Sequence, residues 1–177
     1  DAVRYAGMVI SWNLFDLLGA PPALGRDFRP DDDRPGAPGT VILADSVWRA
    51  HYHADPSVIG RTIMINDAPH TVIGVMPPRF AFPATTEAWI PIAPSHDAST
   101  RADRVIRVYA RLVPGATFEQ AREELREFGS RLASQHAENR GWSADALTLS
   151  DDLLPEEPNL VTTAGMGAVV LVVLVAC

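Results

Sequence analysis

The sequence predicts an α+β fold: a β-rich subdomain with short helices, then a strand–helix–strand unit, then the start of a transmembrane helix. Three observations predict it. The 15 prolines in 177 residues gather around turns, which favours short strands and loops over a helical bundle. Residues 104–112 alternate between two faces and lead through Pro114-Gly115 into an amphipathic stripe. Residues 158–177 contain no charged side chain.

In chain order, residues 2–10 have the composition of a short strand. Ser11 is placed to cap a short helix over residues 12–18, which Gly19 ends and Pro21-Pro22 cannot continue. The stretch from Asp31 to Gly39, opening with three aspartates, is a solvated loop by composition. Residues 40–44 predict a strand, and Asp45 or Ser46 caps a helix reaching Tyr52. Residues 62–66 and 70–76 form a hairpin whose turn is Asp67-Ala68-Pro69, and residues 89–92 make another short strand. Together residues 1–94 make up the β-rich subdomain.

Residues 95–103 are a polar linker, and residues 104–150 form the strand–helix–strand unit. Ile106, Val108, Ala110 and Leu112 share one face of its first strand. Thr117 and Gln120 have the spacing of a capping box. The helix that follows aligns Phe118, Ala121, Leu125, Phe128 and Leu132. Leu125 and Phe128 are therefore expected to point at Ile106 and Val108. Residues 146–150 return as a strand.

Residues 169–176 are continuously apolar, which suits either a buried strand or a membrane helix. Gly165, Gly167 and the missing polar alternation favour the start of a membrane helix over residues 158–177. The last basic residue before the run is Arg140. Between them lie Asp145, Asp151, Asp152, Glu156 and Glu157. A cytoplasmic flank would carry arginine or lysine close to the helix, so residues 1–157 are expected on the extracytoplasmic side. Asp1 is not a methionine and the chain stops inside the apolar run, so a piece of a longer protein is expected.

Composition excludes several activities. All 15 basic residues are arginine, and a nucleotide-binding P-loop needs a lysine at the phosphates, so the chain is not itself a P-loop ATPase. A net charge of −7 without a basic stripe argues against nucleic acid as a partner. Cys177 is the one cysteine, so no disulfide closes within the chain. The string His51-Tyr52-His53-Ala54-Asp55 resembles the metal-binding loop of metallo-hydrolases, but Pro56 stands where that pattern has a further histidine. It also starts within a predicted helix, where His51 and His53 point to different faces. Asp31, Asp32 and Asp33 lack the spacing and closing glutamate of a calcium loop. Ser11, Ser46 and Ser57 have no nucleophile-elbow context. Glu123-Glu124 and Glu156-Glu157 are neighbours that do not share a site. No catalytic, cofactor-binding or metal-binding residue is assigned, and the chain reads as a non-enzyme.

Five local patterns, in order, resemble one family. The first is Val9-Ile10-Ser11-Trp12-Asn13-Leu14-Phe15-Asp16-Leu17-Leu18-Gly19, with Pro22-Ala23-Leu24-Gly25-Arg26-Asp27-Phe28 after it. The second is Val41-Ile42-Leu43, Trp48 and Asp55-Pro56-Ser57-Val58-Ile59-Gly60-Arg61. The third runs from Ile65-Asn66 through Thr71-Val72-Ile73-Gly74-Val75-Met76-Pro77 to Phe80 and Trp89-Ile90-Pro91. The fourth is Ala110-Arg111-Leu112-Val113-Pro114-Gly115 before Gln120-Ala121, and the fifth is the apolar end. Together they resemble the MacB-type periplasmic core domain joined to an FtsX-type permease of ABC transporters. The Trp12-Asn13-Leu14-Phe15 stretch departs from it, because the family more often has an aromatic directly after the asparagine.

The resemblance implies a scaffold that couples ATP-driven motion to export or extraction of a substrate. It implies a separate ATP-binding subunit or domain, a dimer of permease subunits, an envelope adaptor protein and the inner membrane. It also implies that another strand–helix half precedes Asp1, leaving a sheet face or edge unpaired here. The alternative is a membrane-anchored secreted domain with a binding or metal-dependent hydrolytic role.

Overall fold

The computed structural model describes residues 5–83, 85–95, 106–153 and 170–176, with 94–95 and 170–176 described by backbone alone. The chain divides into two units, Asp1–Asp97 and Ala98–Cys177.

The first unit contains, in order, β1 (Gly7–Ile10), α1 (Leu14–Leu18), β2 (Leu24–Gly25), β3 (Thr40–Leu43), α2 (Asp45–Tyr52), a 3-10 turn (Pro56–Val58), β4 (Thr62–Ile65), β5 (Ala68–Val75), β6 (Ala88–Pro91) and α3 (Ile92–Ser95). Its mixed sheet has the order β1-β6-β3-β5. The far edge of β5 is shared: β4 pairs along its first half and β2 at its end. β1 runs parallel to β6 and β3 parallel to β5, while β3 and β6 are antiparallel. All four β3 residues are buried, which accounts for a β-branched run without polar alternation.

Two boundaries moved for local chemical reasons. The hairpin turn is Asn66-Asp67, with φ of 48° and 63°, so β5 begins at Ala68 and not after Pro69. A two-residue turn of this kind matches strand twist and suits residues that tolerate the left-handed region. Helix α1 starts two residues late, with Asn13 at its N-cap, because the Ser11 hydroxyl donates instead to Asn13 Oδ1 at 2.9 Å. Gly19 ends it as expected.

The core of this unit is aromatic. Trp89 is 0% exposed on β6. Phe15 from α1 meets it edge-on at 5.6 Å, and Phe80 packs at 5.6 Å from both rings. Phe28 stacks on Phe15 at 6.2 Å. The Trp89 indole N–H donates to the Phe82 carbonyl at 3.0 Å, so the one polar atom of the ring is satisfied.

The second unit contains β7 (Val108–Arg111), α4 (Phe118–Gln135), a 3-10 turn (Ala137–Asn139), β8 (Ser143–Thr148), α5 (Leu149–Leu153) and β9 (Val170–Ala176). Its sheet has the order β7-β9-β8, antiparallel throughout. This corrects the expected transmembrane helix: residues 170–176 are the central strand. Val170, Val172, Val173 and Val175 are β-branched and favour extended backbone, and a strand with neighbours on both sides needs no polar alternation. Among the described residues no helix is long and apolar enough to cross a membrane. The rest of the expected helix, residues 158–169 and Cys177, lies outside the described residues.

Helix α4 begins with the expected capping box. The Thr117 N–H donates to Gln120 Oε1 at 3.0 Å, and the Gln120 N–H donates to Thr117 Oγ1 at 3.2 Å. The inward stripe needs correction. Phe128 is 50% exposed, whereas Gly129 is buried and packs on β8. At about 100° per residue, Phe128 sits roughly 80° off the line through Phe118, and Gly129 only about 20° off. A Cβ at Gly129 would stand 2.8 Å from the Ala144 nitrogen, so the glycine lets helix and strand approach closely. The expected targets Ile106 and Val108 are themselves half-exposed. The returning strand starts at Ser143, before the predicted residue 146.

Candidate functional site

Two of the residues that most resembled a metal site, His51 and Asp55, have other partners. His51, in the last turn of α2, lies edge-on to Tyr5 at 5.4 Å. His53 ends that helix with φ of 52°. The Asp55 carboxylate caps the 3-10 turn, accepting from the Ser57 N–H at 2.9 Å and the Ser57 hydroxyl at 2.6 Å. The hydroxyl first, and then the amide, hold the Asp55 carboxyl below its ordinary value. Among the described residues, no three His, Cys, Asp or Glu side chains are grouped to hold a metal ion. Glu123 and Glu124 are exposed on α4, and Glu156 and Glu157 lie outside the described residues.

The acidic loop is the surprise. Asp31 is solvated as composition predicts, paired with Arg34 at 2.7 Å on the surface. Asp32 instead receives both terminal nitrogens of Arg26, at 2.6 and 2.9 Å, and the Arg29 N–H at 2.7 Å. Burial alone would raise the Asp32 carboxyl, but the Arg26 and Arg29 hydrogen bonds hold it below its ordinary value. Asp33 ties two other segments together. Its Oδ2 accepts from the Trp12 N–H at 3.0 Å, and its Oδ1 accepts from the Ala93 N–H at 2.8 Å. Three consecutive aspartates gave no hint of this, because the partners are backbone amides brought near by the sheet.

The glycines and aspartates of the sequence patterns build backbone crossings. Gly25 lies against Gly74 where β2 meets β5; a Cβ on Gly25 would stand 2.2 Å from the Ile73 oxygen. The Trp48 indole N–H donates to the Asp55 carbonyl at 2.9 Å, fastening α2 to the turn that follows. A shallow groove of about 310 Å³, lined by Gly25, Arg26, Ile59, Gly60, Thr71, Val72 and Ile73, lies where β4 gives way to β2. It is no open sheet edge. The Val72 carbonyl accepts from Gly60, the Val72 N–H donates to Arg61, and the Ile73 carbonyl accepts from Arg26.

Asp27 is placed less comfortably. Burial pushes its carboxyl above the ordinary value, and the Phe28 N–H at 2.6 Å offsets this only in part. A raised folded value means the stability contribution is full below the unfolded value, about 3.9, and is lost as pH rises through the folded one. Asp27→Asn should therefore raise the urea midpoint of the first unit at pH 7, with the gain vanishing at pH 3.5. A lower midpoint at pH 7 would mean that the Phe28 hydrogen bond needs the charge.

The side chains that the sequence patterns bring together fill a core, close turns and join backbone segments. The class of protein they define is an α+β domain. The chain belongs to the MacB-like periplasmic core domain family, whose model matches residues 2–128. Among solved structures it resembles the periplasmic region of MacB from Actinobacillus actinomycetemcomitans, at 21% identity and a TM-score of 0.53. That likeness covers 72% of this chain and 56% of that one, and at this identity it concerns the fold. No curated protein matches the chain.

Proposed function

We propose that the chain is the extracytoplasmic domain of an ABC-transporter permease subunit, and that it passes ATP-driven motion to a substrate or partner outside the cytoplasm. The observation that carries this reading is the family membership over residues 2–128. Two features support it. The chain has no lysine for a P-loop, so ATP chemistry falls to a separate ATP-binding subunit or domain. The motif residues serve packing and backbone junctions, which suits an element that moves as a rigid body between two states. In this role the domain is not an enzyme. It works in a dimer of permease subunits, with an envelope adaptor protein as a further partner, and residues 1–157 lie outside the inner membrane. The membrane crossing of the subunit is not assigned to residues 170–176.

The test uses the full-length protein with Ser95→Cys as its single thiol. In intact spheroplasts an impermeant thiol reagent should label it; labelling only after lysis would place the domain in the cytoplasm and overturn the reading. With the ATP-binding partner present in proteoliposomes, a nitroxide at the same position should change its spectrum when ATP replaces a non-hydrolysable analogue. Identical spectra would remove the coupling.

A further inference from the structure

β1 and β6 are adjacent parallel strands whose last residues, Ile10 and Pro91, are in register. Trp12 and Ala93, whose N–H groups meet the two oxygens of Asp33, each lie two residues beyond those ends. The carboxylate thus closes the ladder at the point where both chains leave the sheet. One chain turns into α1. The other becomes α3, the last described element before the boundary between the units. Asp33 is itself held by a braced loop: Asp32 next to it is fixed by Arg26 and by the Arg29 amide. The loop hydrogen bonds Asp32 N–H to Arg29 O at 2.9 Å and Asp33 N–H to Pro30 O at 3.3 Å complete a tight turn.

We propose that Asp33 is a clamp that fixes the exit of the chain from the first unit's sheet. It joins the start of α3 to the β1–α1 junction, so that force or motion arriving along α3 is delivered to the sheet and does not peel α3 away. A carboxylate suits this use because each oxygen takes one N–H and the negative charge strengthens both bonds. Asparagine in its place has one acceptor oxygen and one NH₂ group, which meets an N–H as donor against donor. The inference concerns the mechanics of this chain and holds whatever the chain moves.

The test is amide hydrogen exchange on the 177-residue chain carrying Asp33→Asn, with Asp31→Asn as the control for loss of one loop charge. Exchange at Trp12 or Ala93, or both, should accelerate about tenfold or more in Asp33→Asn and stay unchanged in Asp31→Asn. Ile42 and Val72 at the sheet centre should be unaffected by either substitution. A nitroxide at Ser95, in a chain also carrying Cys177→Ser, should become more mobile with Asp33→Asn. Unchanged exchange at both clamp amides would overturn the proposal. Equal acceleration at Ile42 and Val72 would also overturn it, because Asp33 would then stabilise the whole unit and not one exit. An immobile Ser95 label would overturn the delivery of motion through α3. None of these outcomes depends on the cellular location or the ATP response of the full-length protein.

Discussion

Trp89→Ala is expected to destabilise the first unit by about 3–5 kcal/mol, the range for removing a fully buried large aromatic. The size follows from three losses at once. The indole is 0% exposed, so its whole surface is removed from the core. Phe15 and Phe80, each at 5.6 Å, lose the ring against which they are oriented. The Phe82 carbonyl loses its donor at 3.0 Å. Against a domain stability of roughly 5–15 kcal/mol this is a large fraction. Urea unfolding followed through the β3 and β5 amide resonances isolates the first unit from the second. Trp89→Phe keeps an aromatic ring and loses the N–H, so it should fall well short of the alanine value. Equal losses would mean that the hydrogen bond, and not the packing, carries the effect.

Gly25→Ala should cost at least as much as backbone strain alone, about 1–3 kcal/mol, and more through displacement of β2. Its φ is +79°, and the added Cβ would meet the Ile73 oxygen at 2.2 Å and the Gly74 Cα at 3.0 Å. Both neighbours are backbone atoms of β5 and cannot swing aside. Gly36 supplies the control, because it has the same φ of +79° with nothing within 4 Å of its Cβ position. Gly36→Ala carries the strain without the collision. The difference in urea midpoint between the two variants measures the crowding at the β2–β5 crossing. No difference would mean that β2 shifts freely and is no tight junction.

Much of the first unit was legible in the sequence because its signals are local. A β-branched run marks β3, an Asp-led stretch marks α2, and two β-rich runs mark the β4–β5 hairpin, although its turn falls at Asn66-Asp67 and not at Asp67-Ala68-Pro69. The capping box of α4 was legible to the atom, since Thr117 and Gln120 need only each other. What failed depended on distant partners. Residues 170–176 read as a membrane helix because periodicity does not distinguish a central strand from an apolar helix, and the deciding neighbours, β7 and β8, are remote in sequence. Phe128 was placed inward by hydrophobicity, whereas the close approach of Ala144 demanded Gly129 there. Asp33 looked solvated because its partners, the amides of Trp12 and Ala93, become neighbours only after the sheet forms, and Asp32 because composition does not show that the loop folds back onto Arg26, six residues away.

The position of β9 has a consequence for how the polypeptide is made. β7 and β8 are both paired with β9 and, among the described residues, not with each other. During translation the first unit can complete its sheet as soon as β6 emerges. In the second unit both outer strands are released long before the strand that joins them. For that interval β7 and β8 expose unpaired backbone and apolar side chains, the condition under which nascent chains mispair with other chains. The ribosome therefore delivers the two units with opposite risks: the first can fold in pace with synthesis, and the second must be kept from wrong partners until its central strand arrives.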